Sequence, residues 1–164
     1  MLSLAAAVVI VVLDQIVKHL TLANIPLGGR VDFLPGIMDL TYVRNTGASF
    51  SMLTGKNWLL AIITAVAVIV MFVLILTKKV RAPILVWSMT DVAGGAVGNL
   101  IDRLRFGYVV DMFEVTFVRF AVFNVADCFI TVGGIILCAY LLFDSIKEAR
   151  EEKKAKQDGT DDTP

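Results

Sequence analysis

Four long apolar stretches dominate the pattern of hydrophobic and polar positions along the chain. They run roughly from Leu2 to Leu22, Trp58 to Leu76, Ile84 to Leu104 and Phe123 to Phe143. A helix that spans a bilayer needs about 20 predominantly apolar residues, and each stretch reaches that length. The second stretch contains no charged residue. The pattern therefore predicts an all-α membrane protein with four transmembrane helices.

The segment between the first two apolar stretches, roughly residues 23–57, has a different character. It contains Gly and Pro at short intervals, and its apolar residues come in short clusters such as Leu40-Thr41-Tyr42-Val43. Short clusters bounded by turn residues favour strands over helix. We therefore expect a small extracytoplasmic β-cradle, approximately residues 24–56, resting on the bilayer surface.

The chain divides into one domain and a tail. Residues 1–146 contain the four spans and the cradle, which together form a four-helix transmembrane domain. Residues 147–164 are almost entirely polar, and this composition predicts a solvated, disordered tail.

Basic residues predict the orientation in the membrane. The loop 78–81 reads K-K-V-R, and the tail carries further lysine and arginine residues. Four spans place both segments on one side, which the density of basic residues in the short loop identifies as the cytoplasm. The opposite side also carries basic residues, so the assignment depends on that density. Both termini are then cytoplasmic, and the outer ends of the third and fourth spans face away from the cytoplasm.

Composition narrows the function. Hydrophobic residues make up 57% of the chain and the mean hydropathy is +0.79, above the roughly 45–50% apolar content of soluble domains. A net charge of +0 gives no indication of nucleic-acid binding. The two cysteines, Cys128 and Cys138, form no metal-binding motif with the single histidine, His19, so we expect no metal and no other cofactor. Both thiols lie in an apolar helical stretch and are predicted to be buried and inert.

Two aspartates carry the candidate chemistry. Asp111 follows the third span and Asp127 opens the fourth, so antiparallel spans bring them together near the outer face. A carboxylate close to hydrocarbon is costly and is a functional hypothesis by default. If the two meet, repulsion and burial raise one pKa, so that one aspartate activates water while its protonated partner donates to a carbonyl oxygen. The alternative is two unrelated interfacial carboxylates, each capping a helix or pairing with an arginine.

Further polar residues converge on the same membrane level. Each group shares one helical face by its spacing of three or four residues, and the groups are Asn124 with Asp127, Asn99 with Asp102 and Arg103, and Asp14 with Lys18. Asp102 and Arg103 could also form a structural ion pair. In the segment R-N-T-G-A-S-F (residues 44–50), Asn45 and Gly47 predict a turn that contacts substrate, with a plain structural turn as the alternative.

Several motifs together resemble the bacterial lipoprotein signal peptidases, also called signal peptidase II or prolipoprotein signal peptidase. In chain order they are D-Q-x-x-K from Asp14, V-R-N-T-G-A-S-F from Val43, G-G-A-x-G-N-L-I-D-R from Gly94, G-x-V-V-D from Gly107 and F-N-V-A-D from Phe123. They cover the chain from the first span to the start of the fourth. The resemblance implies four transmembrane helices and an extracytoplasmic β-cradle.

The resemblance also implies an activity. Members remove the signal peptide from prolipoproteins, cutting on the N-terminal side of a cysteine that carries diacylglycerol, and are inhibited by the antibiotic globomycin. It implies an aspartic endopeptidase of the bacterial inner or plasma membrane, which we expect to be monomeric and in contact with lipid, with Asp111 and Asp127 as its catalytic dyad. The residues it implies as substrate-binding or dyad-supporting are Asp14, Lys18, Asn45, Gly47, Asn99, Arg103, Asn124 and Ala126.

Two positions depart from the family pattern. Residue 128 is cysteine where the family often has a small hydroxyl residue, and Asp91 lies near the middle of the third span. We expect Asp91 to be protonated or paired with Ser88, Thr90 or a neighbouring helix. A proton- or cation-coupled transporter is the alternative function, since intramembrane acids are common in such proteins. A non-catalytic scaffold that binds lipoproteins is a third hypothesis.

Overall fold

The computed structural model describes residues 2–47 and 55–158, with side chains through residue 153. Its four helices are α1 (Leu2–Asn24), α2 (Asn57–Leu76), α3 (Pro83–Phe106) and α4 (Val125–Asp158). Each helix is long and apolar enough to cross a bilayer. The prediction of four membrane-spanning helices is therefore confirmed, and every helix end except the C-terminal end of α4 lies within two residues of the predicted one.

Helix α3 lies at the centre and packs against the other three helices. Glycines on α3 allow this close approach. A Cβ on Gly95 would lie 2.5 Å from the carbonyl oxygen of Ala126, and a Cβ on Gly98 would lie 2.5 Å from Asp14 Oδ2. Small residues at helix contacts are typical of membrane bundles, because attraction there comes from close packing rather than from the hydrophobic effect.

A three-stranded antiparallel sheet lies next to the helices. Strands β1 (Arg30–Leu34) and β2 (Met38–Asn45) come from the segment between α1 and α2, as predicted. The third strand, β3 (Val109–Val115), follows α3 and pairs with β2. This strand was not predicted from the sequence. The short run V-V-D-M-F-E-V directly follows a long apolar helix, and the helix end at Gly107 (φ +77°) separates the two.

The sheet turns Asp111 away from its own small core. Val110 and Met112 of β3 are fully buried and pack with Tyr42 and Ile25. Successive side chains of a strand point to opposite faces. Asp111, which lies opposite Val43 in the register, therefore points to the other face of the sheet.

Helix α4 is longer than its predicted span. It continues through Asp158, so the polar segment that begins at residue 147 is helical as far as that residue, where we expected disorder. The division into a membrane domain and a cytoplasmic tail stays a prediction.

Candidate active site

Asp111 is held by two side-chain amides. Asn124 Nδ2 donates to its Oδ1 at 2.6 Å, and Asn45 Nδ2 donates to its Oδ2 at 2.9 Å. The backbone N–H of Gly47 donates to Asn45 Oδ1 at 3.0 Å, which turns the amide nitrogen of Asn45 toward Asp111. The predicted turn at residues 45–47 exists, and its amide contacts the carboxylate. The remaining residues of that motif, 48–50, lie outside the described residues.

Asp127 belongs to the first turn of α4 and takes part in its cap. The N–H of Asn124 donates to Asp127 Oδ2 at 3.1 Å, and the N–H of Asp127 donates to Asn124 Oδ1 at 2.9 Å. This reciprocal pair is a capping box, with an aspartate in place of the usual Glu or Gln. Asn99 Nδ2 donates to the other oxygen of Asp127 at 2.8 Å. Asp127 does cap a helix, as one alternative held, and Asn124 also links it to Asp111.

Both aspartates line one cavity of about 1030 Å³. One end of the cavity contains the two carboxyl groups with Asn45, Asn99 and Arg103. The rest of the cavity lies between α2, α3 and α4. It is lined mainly by apolar side chains, among them Ile63, Ala67, Met71, Val92 and Ile130. The cavity thus joins a polar end to a long apolar groove.

Burial perturbs the carboxyl group of Asp111, whose exposed fraction is 2%. Burial is the largest cause that raises the pKa of Asp111 from 3.8 to about 7, and the negative charge of Asp127 raises it further. The hydrogen bonds from Asn45 and Asn124 and the charge of Lys18 oppose this rise. Asp111 can therefore hold a proton near neutral pH beside a second carboxyl group.

Arg103 lies on the wall of the cavity. One terminal nitrogen donates to the carbonyl oxygen of Gly47 at 3.2 Å, while its Nε is buried and has no partner among the described residues. The Asn57 side chain donates to the Arg103 carbonyl oxygen at 3.2 Å, which joins the start of α2 to the end of α3. Arg103 does not pair with Asp102. Asp102 instead pairs with Lys18, at 3.1 Å.

The acid–base pair predicted on α1 is formed. Lys18 Nζ lies 2.8 Å from Asp14 Oδ2, and both side chains are almost completely buried. Lys18 also donates to Asn99 Oδ1 at 2.8 Å, and Asp14 Oδ1 accepts from the N–H of Ala126 at 2.9 Å. The structure therefore brings all ten predicted site residues into one connected region. Their roles stay predictions.

Two members of this region were not among the predicted site residues. Asp102 and Gln15 both contact the pair on α1, and Gln15 Nε2 donates to Asp102 Oδ1 at 3.0 Å. Both residues belong to motifs that were recognised, but spacing alone does not show which partner a buried carboxylate takes. Among the residues that the structure describes, no group of three or more His, Cys, Asp or Glu side chains could hold a metal ion.

The structure contradicts the predicted burial of the two thiols and the predicted pairing of Asp91, whose protonation stays a prediction. The side chains of Cys128 and Cys138 are exposed rather than buried, and Cys128 lines the same cavity as Asp111 and Asp127. Ser88 and Thr90 donate to carbonyl oxygens of their own helix, at 3.1 and 2.7 Å. Asp91 is therefore not paired with either hydroxyl, and it has no hydrogen bond or ion pair within the described part of the chain.

Comparisons with known proteins place these features in context. The profile of the family described as signal peptidase (SPase) II matches residues 6–143. A lipoprotein signal peptidase from Enterococcus faecalis is 42% identical over 144 residues, which cover 86% of this chain and 87% of that protein. One from Lactococcus lactis subsp. lactis is 40% identical, covering 88% and 95% of the two chains.

Two solved structures have a fold similar to that of this chain. One, described as a bacterial membrane enzyme, superposes with a TM-score of 0.82 at 30% identity, covering 87% of this chain and 88% of the other. A second structure of the same description gives a TM-score of 0.77 at 30% identity, covering 85% and 92%.

Proposed function

The chain belongs to the signal peptidase II family of membrane proteases, and from that premise we propose that it removes signal peptides by an aspartic mechanism with Asp111 and Asp127 as the dyad. Membership of this family supports prolipoproteins as the substrates. The observation that carries the mechanism is the pair of carboxyl groups on one cavity, joined through Asn124. The position of both carboxyl groups at one end of an apolar groove favours a peptidase over a transporter.

The two carboxyl groups have different surroundings, which suits them to different tasks. Asp127 lies at the N-terminus of α4 and accepts the backbone N–H of Asn124, and both the helix dipole and this donor favour a negative charge. Asp111 holds its proton up to about pH 7 because it is buried. We assign Asp127 as the base that takes a proton from water and Asp111 as the acid that donates to the scissile carbonyl oxygen.

Asn99 positions the base, Asn45 positions the acid, and Asn124 contacts both. Each amide donates to a carboxylate oxygen, and the amide oxygens of Asn45, Asn99 and Asn124 are engaged by Gly47, Lys18 and Asp127. Fixed amides hold the carboxyl groups before substrate arrives, so less reorganisation is needed in the transition state. Arg103, whose buried Nε has no partner within the described part of the chain, is placed to bind a carbonyl group of the substrate.

The apolar groove suits a lipid-modified substrate. We propose that the diacylglyceryl chains and the apolar part of the signal peptide lie between α2, α3 and α4, so that the bond before the modified cysteine meets the dyad. Each buried CH₂ contributes about 0.8 kcal/mol, so partial burial of two acyl chains exceeds the contribution of a single hydrogen bond. Substrate then enters sideways from the bilayer, and a single chain supplies every part of the site.

We further propose that the enzyme lies in the bacterial plasma membrane with both termini in the cytoplasm and the dyad near the outer face. The basic loop 78–81 supports this orientation. A protease-sensitive tag at the C-terminus, resistant in intact cells and cleaved after lysis, is the expected result. Cleavage in intact cells would contradict the orientation.

The mechanism is tested with purified enzyme and a diacylglyceryl-modified prolipoprotein. Asp111→Asn and Asp127→Asn should each lower cleavage by about 10²–10⁴-fold, because asparagine keeps the shape but cannot transfer the proton. Substrate binding should persist, which also separates the peptidase from a scaffold. Asp32→Asn, an exposed aspartate on β1, is the matched control and should cleave normally. Full cleavage by either dyad variant would refute the mechanism.

A further inference from the structure

A second charged cluster lies behind the dyad, and it consists of Asp14, Lys18 and Asp102. The exposed fractions of these residues are 0%, 2% and 1%. Lys18 Nζ lies 2.8 Å from Asp14 Oδ2 and 3.1 Å from Asp102 Oδ2. With two carboxylates and one ammonium group, the cluster carries a net charge of −1 when all three are ionised.

Each carboxylate of the cluster holds the peptide that precedes one dyad aspartate. Asp102 Oδ2 accepts the N–H of Val110 at 3.0 Å, directly before Asp111. Asp14 Oδ1 accepts the N–H of Ala126 at 2.9 Å, directly before Asp127. The two dyad residues lie on different elements, a strand and a helix. In both cases a carboxylate of the cluster accepts the backbone N–H of the residue before the dyad aspartate.

Lys18 adds a third connection. Its ammonium group donates to Asn99 Oδ1 at 2.8 Å, and Asn99 Nδ2 donates to Asp127 Oδ1 at 2.8 Å. Because an ammonium group can only donate, it forces the oxygen of the Asn99 amide toward itself and the nitrogen toward Asp127. Without Lys18 the amide would be free to rotate and present an oxygen to the carboxylate.

Burying two carboxylates and a lysine is costly, and a purely structural contact between helices does not require it. We propose that Asp14, Lys18 and Asp102 are positioning residues which fix both dyad aspartates and whose net charge sets the pH at which the dyad loses its shared proton. This inference rests on the proposed aspartic mechanism. Asp102 is the member that was not among the residues predicted to support the dyad.

The electrostatic part follows from the charges around Asp111. They belong to Lys18 of α1, Arg103 of α3 and Asp127 of α4, to Asp14 and Asp102, which lie beside Lys18, and to Arg44 of β2, which lines the same cavity. Lys18 already lowers the pKa of Asp111, so loss of its charge must raise that pKa. Loss of a negative charge from Asp14 or Asp102 must lower it.

The test is the pH dependence of kcat for the full-length enzyme on a diacylglyceryl-modified prolipoprotein. An aspartic dyad needs one proton, so activity falls on the alkaline side as that proton leaves. Asp102→Asn and Asp14→Asn should each move this limb to lower pH by an amount on the order of one pH unit, the size expected for one nearby charge in a partly buried site. Lys18→Gln should move it to higher pH. A merely structural cluster would change folding or kcat without moving the limb in opposite directions.

A split between kcat and KM tests positioning separately. Small displacements of reacting groups can cost about 10²-fold in rate, so Lys18→Arg, which keeps the charge, should lower kcat while KM and the alkaline limb stay unchanged. Thr90→Val removes an equally buried hydroxyl that bonds only within α3, and it should leave kcat and the limb as in the wild type.

The outcomes separate the two proposals. A wild-type enzyme that does not cleave, or a dyad variant that does, would contradict the aspartic mechanism itself. If the wild type cleaves, and the alkaline limb of the folded Asp102→Asn and Asp14→Asn variants lies at the wild-type pH, the aspartic mechanism stands and the role of the cluster is refuted. Failure of both single variants to fold would likewise refute it, since the cluster would then be a requirement of the fold.

Discussion

The buried acid of the dyad should make the protein less stable as the pH rises, and Asp111→Asn should abolish that dependence. Between about pH 5 and about pH 8 the Asp111 carboxyl of the unfolded chain is ionised throughout, whereas the folded one keeps its proton up to about pH 7. The folded state therefore binds more protons, and the free energy of unfolding falls with rising pH until the folded carboxyl also ionises. At about 1.36 kcal/mol per pKa unit, the loss over this window is about 3 kcal/mol.

Asparagine at position 111 cannot ionise, so its variant should lack this loss while also lacking activity. The measurement is thermal or chemical unfolding in detergent at several pH values, followed by the fluorescence of Trp58 and Trp87. Asp32→Asn removes one exposed carboxylate from the sheet and should keep the wild-type dependence. The comparison uses the change with pH, so the cost of exchanging one hydrogen-bond acceptor for a donor cancels.

The reasoning would be refuted if wild type and Asp111→Asn lost stability in parallel. That result would mean that the carboxyl group of Asp111 is solvated enough to ionise at its ordinary pKa, and that burial does not supply the proton of the dyad. It would leave the catalytic test untouched, because a solvated dyad could still cleave.

Three further perturbations test packing and the groove. Gly98→Ala places a Cβ 2.5 Å from the carboxylate of α1 and should cost roughly 1–3 kcal/mol, whereas Gly134→Ala, with open space around it, should be neutral or stabilising by up to about 1 kcal/mol in thermal unfolding. Ala67→Phe fills the groove and should raise KM for a lipid-modified substrate, while Ile69→Phe on the lipid-facing side of the same helix should not; equal KM values would contradict substrate binding there. Asn45→Ala removes a hydrogen bond that lowers the pKa of the buried dyad acid, so the alkaline limb of the cleavage profile should move to higher pH, and an unmoved limb would count against that contact.

Much of the fold could be predicted because hydrocarbon constrains the sequence so strongly. A bilayer-spanning segment must satisfy its backbone internally, so length and apolarity alone identify the helices. Strand β3 was missed because its seven residues follow an apolar helix and carry the dyad aspartate, and a short apolar run has no periodicity that distinguishes a strand from a helix end. The exposure of the α4 thiols was missed for a related reason, since exposed and buried positions of a membrane helix are both apolar.

The residues of the site could be identified from the sequence, but the contacts between them could not. Spacing placed Asp14 with Lys18 and Asn124 with Asp127, because residues three or four apart on a helix are neighbours. The partner of Asp102 depended on contact between α1 and α3, across more than 80 positions in the chain, and spacing is silent about such contacts. Asp91 remains an unpaired acid in the described structure, and nothing in the structure explains it.

The pairing of Asp14 and Lys18 within a single helix has a consequence for how the protein is made. Helix α1 is synthesised and inserted well before α3 exists. Its charged side chains would therefore be costly in the bilayer if Asp102 and Asn99 were their only partners. An ion pair four residues apart, with the acid first, neutralises the helix from within and lowers the cost of inserting it alone. Arrival of α3 then converts this temporary pair into the completed cluster. The first span is thus prepared for the site before any residue of the dyad has left the ribosome.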